Sequence, residues 1–155
     1  NEIVDFYNES YNFCGSPKTC VYDGMTELLK ELKKEGYLLA VVSNKPQDGT
    51  TEVIRKFFGD GLFDYVYGQR EGVKTKPDKE PVEIVLKALN VSKKDAVYVG
   101  DSEVDALTAI NADLYGISVL WGFREKSLLI ETGAVNFAEN ASELHEIIEN
   151  HFKNR

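Results

Sequence analysis

An apolar run that ends in a glycine and a carboxylate marks one strand–helix junction in this chain. The run Val97–Val99 stops at Gly100, and Asp101 follows directly. Asp105 comes four residues after Asp101, in what reads as the first turn of a helix. Ligands of open α/β sheets bind at the carboxyl ends of the strands, so this pair can hold a hard cation on oxygen ligands. The junction therefore favours an α/β fold and gives the first indication of phosphate chemistry.

The same alternation of strands and helices runs along the chain. Apolar runs predict strands at 37–42, 63–67, 96–99, 116–120 and 135–137. Amphipathic segments predict helices at 25–35, 50–58, 81–89, 103–112, 125–131 and 142–152, and the end of a helix within 1–13. The run at 37–42 is apolar throughout, which is typical of a strand buried on both faces. Repeated β-α-β units predict a doubly wound, mainly parallel sheet with helices on both faces.

Composition excludes several classes of protein. A chain of 155 residues with 43% hydrophobic content can form one domain with its own core. A formal net charge of -8 argues against a nucleic-acid partner, because such proteins usually carry a basic face. No apolar run approaches the length of a membrane span. Cys14 and Cys20 are too few and too unpatterned for a disulfide framework or a zinc site, and we expect a cytoplasmic protein.

Polar residues follow the first two strands as well. Ser43 and Asn44 come after the strand at 37–42 and could donate hydrogen bonds to a phosphoryl oxygen, although an ordinary helix-capping turn explains them too. Lys76 precedes Pro77, which favours an extended backbone, and could neutralise a phosphoryl group as a point charge. The alternative for a lysine in a polar loop is simple solvation.

Structural explanations also exist for other polar and aromatic residues. Ser102-x-x-Asp105 fits a capping box at a helix N-terminus, although that leaves Asp101 unexplained. A Gly-x-Gly-x-x-Gly fingerprint for a dinucleotide is absent from the sequence. His145 and His151 lie six residues apart on one predicted helix, so they do not share a metal. Trp121 and Phe123 flank Gly122 after a predicted strand, which favours packing or a pocket wall.

In their order and spacing, several stretches closely resemble the haloacid dehalogenase-like hydrolases, and most closely their phosphoglycolate phosphatase branch. The resemblance covers nearly all of residues 21–148. The stretches are Val21-Tyr22-Asp23-Gly24, Ala40-Val41-Val42-Ser43-Asn44-Lys45-Pro46, Lys76-Pro77-Asp78-Lys79-Glu80-Pro81, Tyr98-Val99-Gly100-Asp101-Ser102-Glu103-Val104-Asp105 and Trp121-Gly122-Phe123.

The resemblance implies a two-step hydrolysis of a small phosphorylated metabolite, 2-phosphoglycolate first among candidates, through a phosphoaspartyl intermediate. Ser43 would hydrogen-bond the phosphoryl oxygens, and Asn44 would support it in the same loop. Lys76 would pair with both the nucleophile and the phosphate, so that Lys76 and Ser43 are the expected catalytic residues. Asp101 would ligate Mg²⁺ directly or through water, and Asp105 would be the second ligand or the group that orients the first.

One part of the family pattern is missing. The nucleophile and the general acid/base of this family lie in an Asp-x-Asp-Gly-Thr motif at the end of the first strand. Residues 1–155 do not contain this motif. The nearest imitation, Asp23-Gly24, has Val21 in the nucleophile's place. Residues 1–20 resemble only the last helix and hinge of the family's helical cap, whereas 21–155 resemble an incomplete core domain.

The missing strand would be central in the family's sheet, between the strands at 37–42 and 96–99. We therefore expect either a gap in mid-sheet or a gap filled from elsewhere, and not direct pairing of these two strands. An N-terminal segment of the same protein is the expected partner, and a homodimer is another way to cover exposed edges. The chain alone is expected to be inactive. Alternatives are a sugar phosphomutase or pyrophosphatase on the same scaffold, and a non-catalytic phosphate-binding module.

Overall fold

The computed structural model describes residues 20–154. Its α-helices are α1 (Met25–Lys34), α2 (Gln47–Phe58), α3 (Glu80–Leu89), α4 (Glu103–Ala112), α5 (Lys126–Glu131) and α6 (Ala141–Lys153). Its strands are β1 (Ala40–Pro46), β2 (Tyr65–Gln69), β3 (Val97–Gly100), β4 (Tyr115–Val119) and β5 (Phe137–Ala138). A single 3₁₀ turn spans Lys93–Asp95. The expected helix end within 1–13, and nearly all of the expected cap remnant at 1–20, lie outside the described residues.

The described strands form two parallel sheets and not one. β1 pairs with β2, with Ala40 opposite Tyr65, and the second sheet has the order β3-β4-β5. In the second sheet Val97 lies opposite Tyr115, and Ser118 lies opposite Phe137. Within residues 20–154, β1 and β3 are not paired with each other. The α/β fold with parallel strands is confirmed, and so is the expected gap between the two central strands.

Most predicted elements agree with the structure to within about three residues, but the first strand was placed wrongly. The prediction put it at 37–42, buried on both faces, whereas β1 begins at Ala40 and extends to Pro46. Its residues are half-buried or exposed. The physical reason is the gap, because in the described part of the chain β2 covers one edge of β1 and nothing pairs with the other. Val99 on β3 is likewise exposed to solvent.

The main hydrophobic core lies between the β3-β4-β5 sheet and the helices α1 and α6. Helix α1 presents apolar residues at helical spacing, and α6 does the same from the other end of the described chain. The left-handed conformation at Gly36 (φ 93°) ends the turn after α1, as glycine can without steric cost. The buried members of the core are Leu28, Leu32, Leu39, Ile117, Val119, Ala138, Leu144 and Ile148. No helix in the described range is long and apolar enough to cross a bilayer.

Asp64 connects α1 to the start of β1. Its carboxylate accepts a hydrogen bond from the backbone N–H of Leu39 at 2.8 Å and pairs with the Lys33 ammonium. Partial burial raises the pKa of Asp64, but the Lys33 ammonium and the Leu39 N–H lower it by more. The net shift is downward, so this carboxylate stabilises the fold in its charged form.

We expect Asp64→Asn to lower the free energy of unfolding of the intact protein by about 1.5 to 3 kcal/mol at neutral pH, the value of a hydrogen bond to a charged group. Because the folded pKa lies below the unfolded one, the contribution is complete above the unfolded pKa of about 4 and is lost as pH falls through the folded value. Urea denaturation at several pH values measures it. Asp60→Asn is the matched control, since Asp60 is 81% exposed and pairs with Arg55 only at the surface. Equal losses in both variants would contradict the assignment.

Candidate functional site

The polar residues singled out in the sequence lie at the carboxyl ends of the strands. Ser43 and Asn44 belong to the last part of β1, and Lys76 lies in the loop between β2 and α3. Asp101 follows β3, and Asp105 lies in the first turn of α4. Although the two sheets are not paired, these loops meet at one edge. Hydrogen bonds of Lys76 connect residues that are 61 positions apart along the sequence, from Asn44 on β1 to Asp105 on α4.

Asn44 fixes the backbone of the lysine loop. Its side-chain amide donates to the carbonyl of Lys76 at 3.0 Å, and its Oδ1 accepts from the N–H of Lys76 at 2.8 Å. On the far side, the amide of Asn111 on α4 donates to the carbonyl of Pro77 at 2.8 Å. The peptide bond between Lys76 and Pro77 is cis. The loop is thus held from β1 and from α4, and the Lys76 side chain starts from a fixed position.

The Lys76 side chain crosses from the first sheet to the second. Its ammonium donates to Asp105 Oδ1 at 2.8 Å, and both side chains are largely buried, with 13% and 14% of their surface exposed. The Tyr98 hydroxyl donates to the same oxygen at 3.2 Å, and the Ser102 hydroxyl donates to Oδ2 at 2.7 Å. Burial raises the pKa of Asp105, but the Lys76 ammonium and these hydroxyls lower it by more. Three side-chain donors thus hold Asp105 in its charged form.

Asp101 has a different environment. No side chain in the described part of the chain hydrogen-bonds to its carboxylate. Burial raises the pKa of Asp101, and repulsion from the Asp105 carboxylate raises it further, against smaller opposing effects of Lys76 and Arg124. Two carboxylates side by side form an oxygen-rich, electronegative position that a divalent cation stabilises.

Two glycines allow the chain to approach these carboxylates closely. A Cβ on Gly122, in the loop after β4, would lie 2.5 Å from Asp101 Oδ2. A Cβ on Gly100, at the end of β3, would lie 2.2 Å from the Cβ of Asp105. Neither position has room for a side chain. The loop after β4 is thereby part of the site, because its backbone contacts the Asp101 carboxylate.

Ser43 is oriented by its own loop. Its Oγ accepts a hydrogen bond from the N–H of Lys45 at 3.1 Å. Since the oxygen accepts this bond, the hydroxyl hydrogen can be donated to an anion at the strand end. The neighbouring Lys45 is half-buried, and this burial lowers the pKa of its ammonium. The free donor of the Ser43 hydroxyl is the feature of this strand end that suits an anion.

The capping-box interpretation of Ser102 is confirmed for the N-cap and is wrong for the return bond. Ser102 is the N-cap of α4, and its Oγ accepts from the N–H of Asp105 at 3.3 Å. The return bond differs from a capping box, because the Asp105 carboxylate accepts from the Ser102 hydroxyl and not from its backbone. The cap and a site role are thus compatible. Helix capping fixes the Asp105 side chain where Lys76 reaches it.

Sequence reasoning missed three contributors. Tyr98 was read as a strand residue only, although it binds Asp105. Gly122 was noted only as a spacer between two aromatics. The third is the ion pair between Arg124 and Glu103, in which Nε donates to Oε2 at 2.6 Å and a second guanidinium nitrogen donates to Oε1 at 3.2 Å. In the sequence, Glu103 and Arg124 are only a carboxylate two residues after Asp101 and a basic residue two residues after Gly122. The fold brings them into contact, and no local pattern predicts it.

The two histidines of the last helix contact residues outside the site described above. His145 contacts Glu35, whereas His151 stacks on Tyr115. His145, Glu35 and Glu149 bring ligand-type atoms within 4.8 Å of one another, a group that sequence spacing did not suggest.

The two aromatics around Gly122 have different environments. Trp121 packs against the main hydrophobic core, as the packing interpretation expected. Phe123 does not, because 89% of its surface is exposed. The loop after β4 therefore turns from the core to solvent within three residues.

Comparisons with known proteins agree with this geometry. Residues 1–119 match the family model described as haloacid dehalogenase-like hydrolase. A pyrophosphatase PpaX of Listeria monocytogenes serotype 4a (strain HCC23) is 30% identical over 149 residues, which make up 96% of this chain and 68% of that protein. A phosphoglycolate phosphatase of Psychrobacter arcticus is 32% identical over 115 residues, which are 74% of this chain and 50% of that protein.

A solved structure shows the same fold. The crystal structure of a predicted phosphatase from Clostridium acetobutylicum matches with a TM-score of 0.78 at 30% identity, and the match covers 84% of this chain and 60% of that one. The chain therefore spans between half and about two thirds of the length of the proteins that it matches.

Proposed function

Because residues 1–119 match its model, the chain belongs to the haloacid dehalogenase-like hydrolases, and on this premise we propose that its protein is a Mg²⁺-dependent phosphomonoester hydrolase. The proposed substrate is a small phosphorylated metabolite, with 2-phosphoglycolate as the first candidate, and the proposed setting is the cytoplasm. The observation that carries the proposal is the Lys76–Asp105 pair beside Asp101. A buried ammonium and an under-coordinated carboxylate at the ends of parallel strands suit a phosphoryl group and its metal.

Each site residue has a proposed role that its contacts support. The Ser43 hydroxyl donates to a phosphoryl oxygen. Lys76 places its charge beside the phosphoryl group and the nucleophile, since Asn44 and Asp105 hold its two ends. Asp105 sets the direction of the lysine and adds negative charge to the cation site. Asn44 acts by positioning Lys76.

The donor set fits Mg²⁺, which prefers carboxylate and water oxygens. Asp101 is the proposed ligand, because its oxygens face the site without another side-chain partner in the described range, and Asp105 is the proposed second acidic group. When bound, Mg²⁺ neutralises phosphoryl charge and offsets the repulsion between an anionic nucleophile and an anionic substrate. Lys76 and Ser43 contribute the protein's own positive charge and hydrogen-bond donor to the same end.

The proposed nucleophile is an aspartate in a segment of the same protein outside these residues. Two observations support this: the sequence has no Asp-x-Asp-Gly-Thr motif, and within residues 20–154 each of β1 and β3 pairs with one other strand and not with each other. Attack of that aspartate carboxylate on phosphorus would form an aspartyl phosphate and break the P–O ester bond, and the leaving oxygen would depart as the alcohol with a proton from the general acid of the same motif. Water would then attack the phosphorus, which would release inorganic phosphate and regenerate the carboxylate. The 155-residue chain alone is then inactive.

A pyrophosphatase is the second candidate function. The relative from Listeria monocytogenes named pyrophosphatase PpaX supports it, at 30% identity over 96% of this chain. The strand-end residues described above suit both substrates, because each presents a phosphoryl group with a leaving oxygen. The choice between them lies in the groups that contact the rest of the substrate.

The test is a substrate panel on the intact protein with and without Mg²⁺. We expect hydrolysis of p-nitrophenyl phosphate and faster hydrolysis of 2-phosphoglycolate or pyrophosphate, abolished by a chelator and restored by added Mg²⁺. Phosphate release is the readout. Activity that persists in the chelator would contradict the metal role. Binding of phosphate by calorimetry without turnover of any substrate would indicate a non-catalytic phosphate-binding module.

A further inference from the structure

The Arg124–Glu103 ion pair joins two loops of the site. Glu103 begins α4, two residues after Asp101, and Arg124 lies in the loop after β4, two residues after the Gly122 backbone that touches the Asp101 carboxylate. Both guanidinium contacts go to this one carboxylate. The arginine is therefore held at the edge of the site, on the side where the loop after β4 contacts Asp101.

Arg124 remains accessible to a ligand. Its side chain is 46% exposed and that of Glu103 is 32% exposed, so the pair lies at the surface. Surface ion pairs of this kind contribute little to stability, and a competing anion can replace the carboxylate at small cost. The neighbouring Phe123 is also exposed. These residues form an open rim and not a closed wall.

Two cations flank Asp101 in the described site. Lys76 comes from the first sheet and pairs with Asp105 beside it, and Arg124 lies in the loop after β4, whose Gly122 backbone contacts the Asp101 carboxylate. Lys76 is committed to Asp105 and is largely buried. Arg124 offers a planar guanidinium with several donors, the group best suited to a second carboxylate or phosphate.

We propose that Arg124 binds a second anionic group of the substrate, so that the substrate class is small phosphorylated molecules with a carboxylate or phosphate next to the transferred phosphoryl group. In this arrangement Glu103 holds the guanidinium at the rim until the anion replaces it. This inference rests on the proposed hydrolase function. It also explains how one rim can serve 2-phosphoglycolate and pyrophosphate, because both carry such a second anion.

The experiment compares two substrates that differ only in this group. These are 2-phosphoglycolate and 2-hydroxyethyl phosphate, in which an alcohol replaces the carboxylate. The quantity compared is kcat/KM for 2-phosphoglycolate divided by kcat/KM for 2-hydroxyethyl phosphate. For Arg124→Met in the intact protein we expect this ratio to fall about 10- to 100-fold, the range for loss of one charge-assisted hydrogen bond. Most of the change should come from weaker binding of the substrate that carries the carboxylate, seen as a higher KM. Arg124→Lys should recover part of this ratio, since lysine keeps the positive charge but lacks the planar guanidinium with its several donors.

Two control variants separate binding from a structural role. Glu103→Gln removes the tie between the loops but leaves the arginine, so we expect the ratio to be kept or raised. Lys126→Met removes an exposed positive charge two residues further along and should change the ratio less than about twofold. If Glu103→Gln lowered the ratio as Arg124→Met does, or if Arg124→Met left it unchanged, the proposal would be overturned.

The outcomes also distinguish this proposal from the function on which it rests. Hydrolysis of both substrates by the wild type, with an unchanged ratio in Arg124→Met, would remove the role of Arg124 and leave the hydrolase intact. Absence of hydrolysis of either substrate would instead contradict the proposed function. In that case the affinities of the two compounds, measured by calorimetry with Mg²⁺, still show whether Arg124 binds the second anionic group. An affinity for 2-phosphoglycolate that does not depend on Arg124 would overturn the proposal.

Discussion

Replacing Lys76 by methionine should lower kcat of the intact protein about 10²- to 10³-fold or more on p-nitrophenyl phosphate, the range for removing one preorganised electrostatic contact. The ammonium is largely buried and lies 2.8 Å from Asp105, so its charge acts in a medium that screens it weakly. Lys74→Met is the matched control, because Lys74 lies in the same loop but is 72% exposed and pairs with Asp78. We expect that variant to keep kcat within about twofold.

A second variant separates catalysis from folding. Lys76→Met alone leaves Asp105 as a buried carboxylate without its cation, and such a loss costs about 3 to 5 kcal/mol in stability. Adding Asp105→Asn removes the uncompensated charge and should recover much of the unfolding free energy, measured by urea denaturation, but none of the activity. If Lys76→Met retained full turnover, or if the double variant regained it, the catalytic role of the lysine would be wrong.

Asp101→Asn should have an effect of similar size through a different cause. The substitution keeps the shape of the side chain but removes the charge that we expect to attract Mg²⁺. The Mg²⁺ concentration for half-maximal activity should rise, and turnover at saturating Mg²⁺ should fall about 10²- to 10³-fold. A metal titration of the phosphatase rate measures both quantities.

The control for this substitution is Asp113→Asn. Asp113 ends α4 in the left-handed conformation (φ 57°), which asparagine adopts as readily as aspartate. It is exposed, so the same loss of charge occurs outside the site. An unchanged Mg²⁺ dependence in Asp101→Asn, or an equal change in Asp113→Asn, would show that Asp101 is not the ligand.

Local sequence signals predicted the parts of this fold that local physics decides. The helix predicted at 103–112 was found at those residues, because Ser102 caps it and Asp113 ends it. Ser43 lies in the last part of β1 and Asp101 directly follows β3, whereas Lys76 lies in the loop seven residues after the end of β2. Their chemical roles stay predictions until the variants are measured.

Contacts between distant segments could not be predicted in the same way. The strand at 37–42 was predicted from its apolar composition, but the limits of β1 depend on its pairing with β2, the one strand that pairs with it among residues 20–154. Tyr98 has the composition of an ordinary strand residue, and only the packing of α4 directs Asp105 towards its hydroxyl. Arg124 and Glu103 are 21 residues apart, and no short-range pattern connects them.

Asn44 fixes the course of the Lys76 loop independently of the charge that the loop carries. Both of its hydrogen bonds go to main-chain atoms of residue 76, so they do not depend on the amino acid at that position. The course of the loop is therefore encoded at position 44, and the charge that it carries is encoded at position 76. Natural drift or redesign could alter the electrostatics of this site while leaving its architecture unaltered.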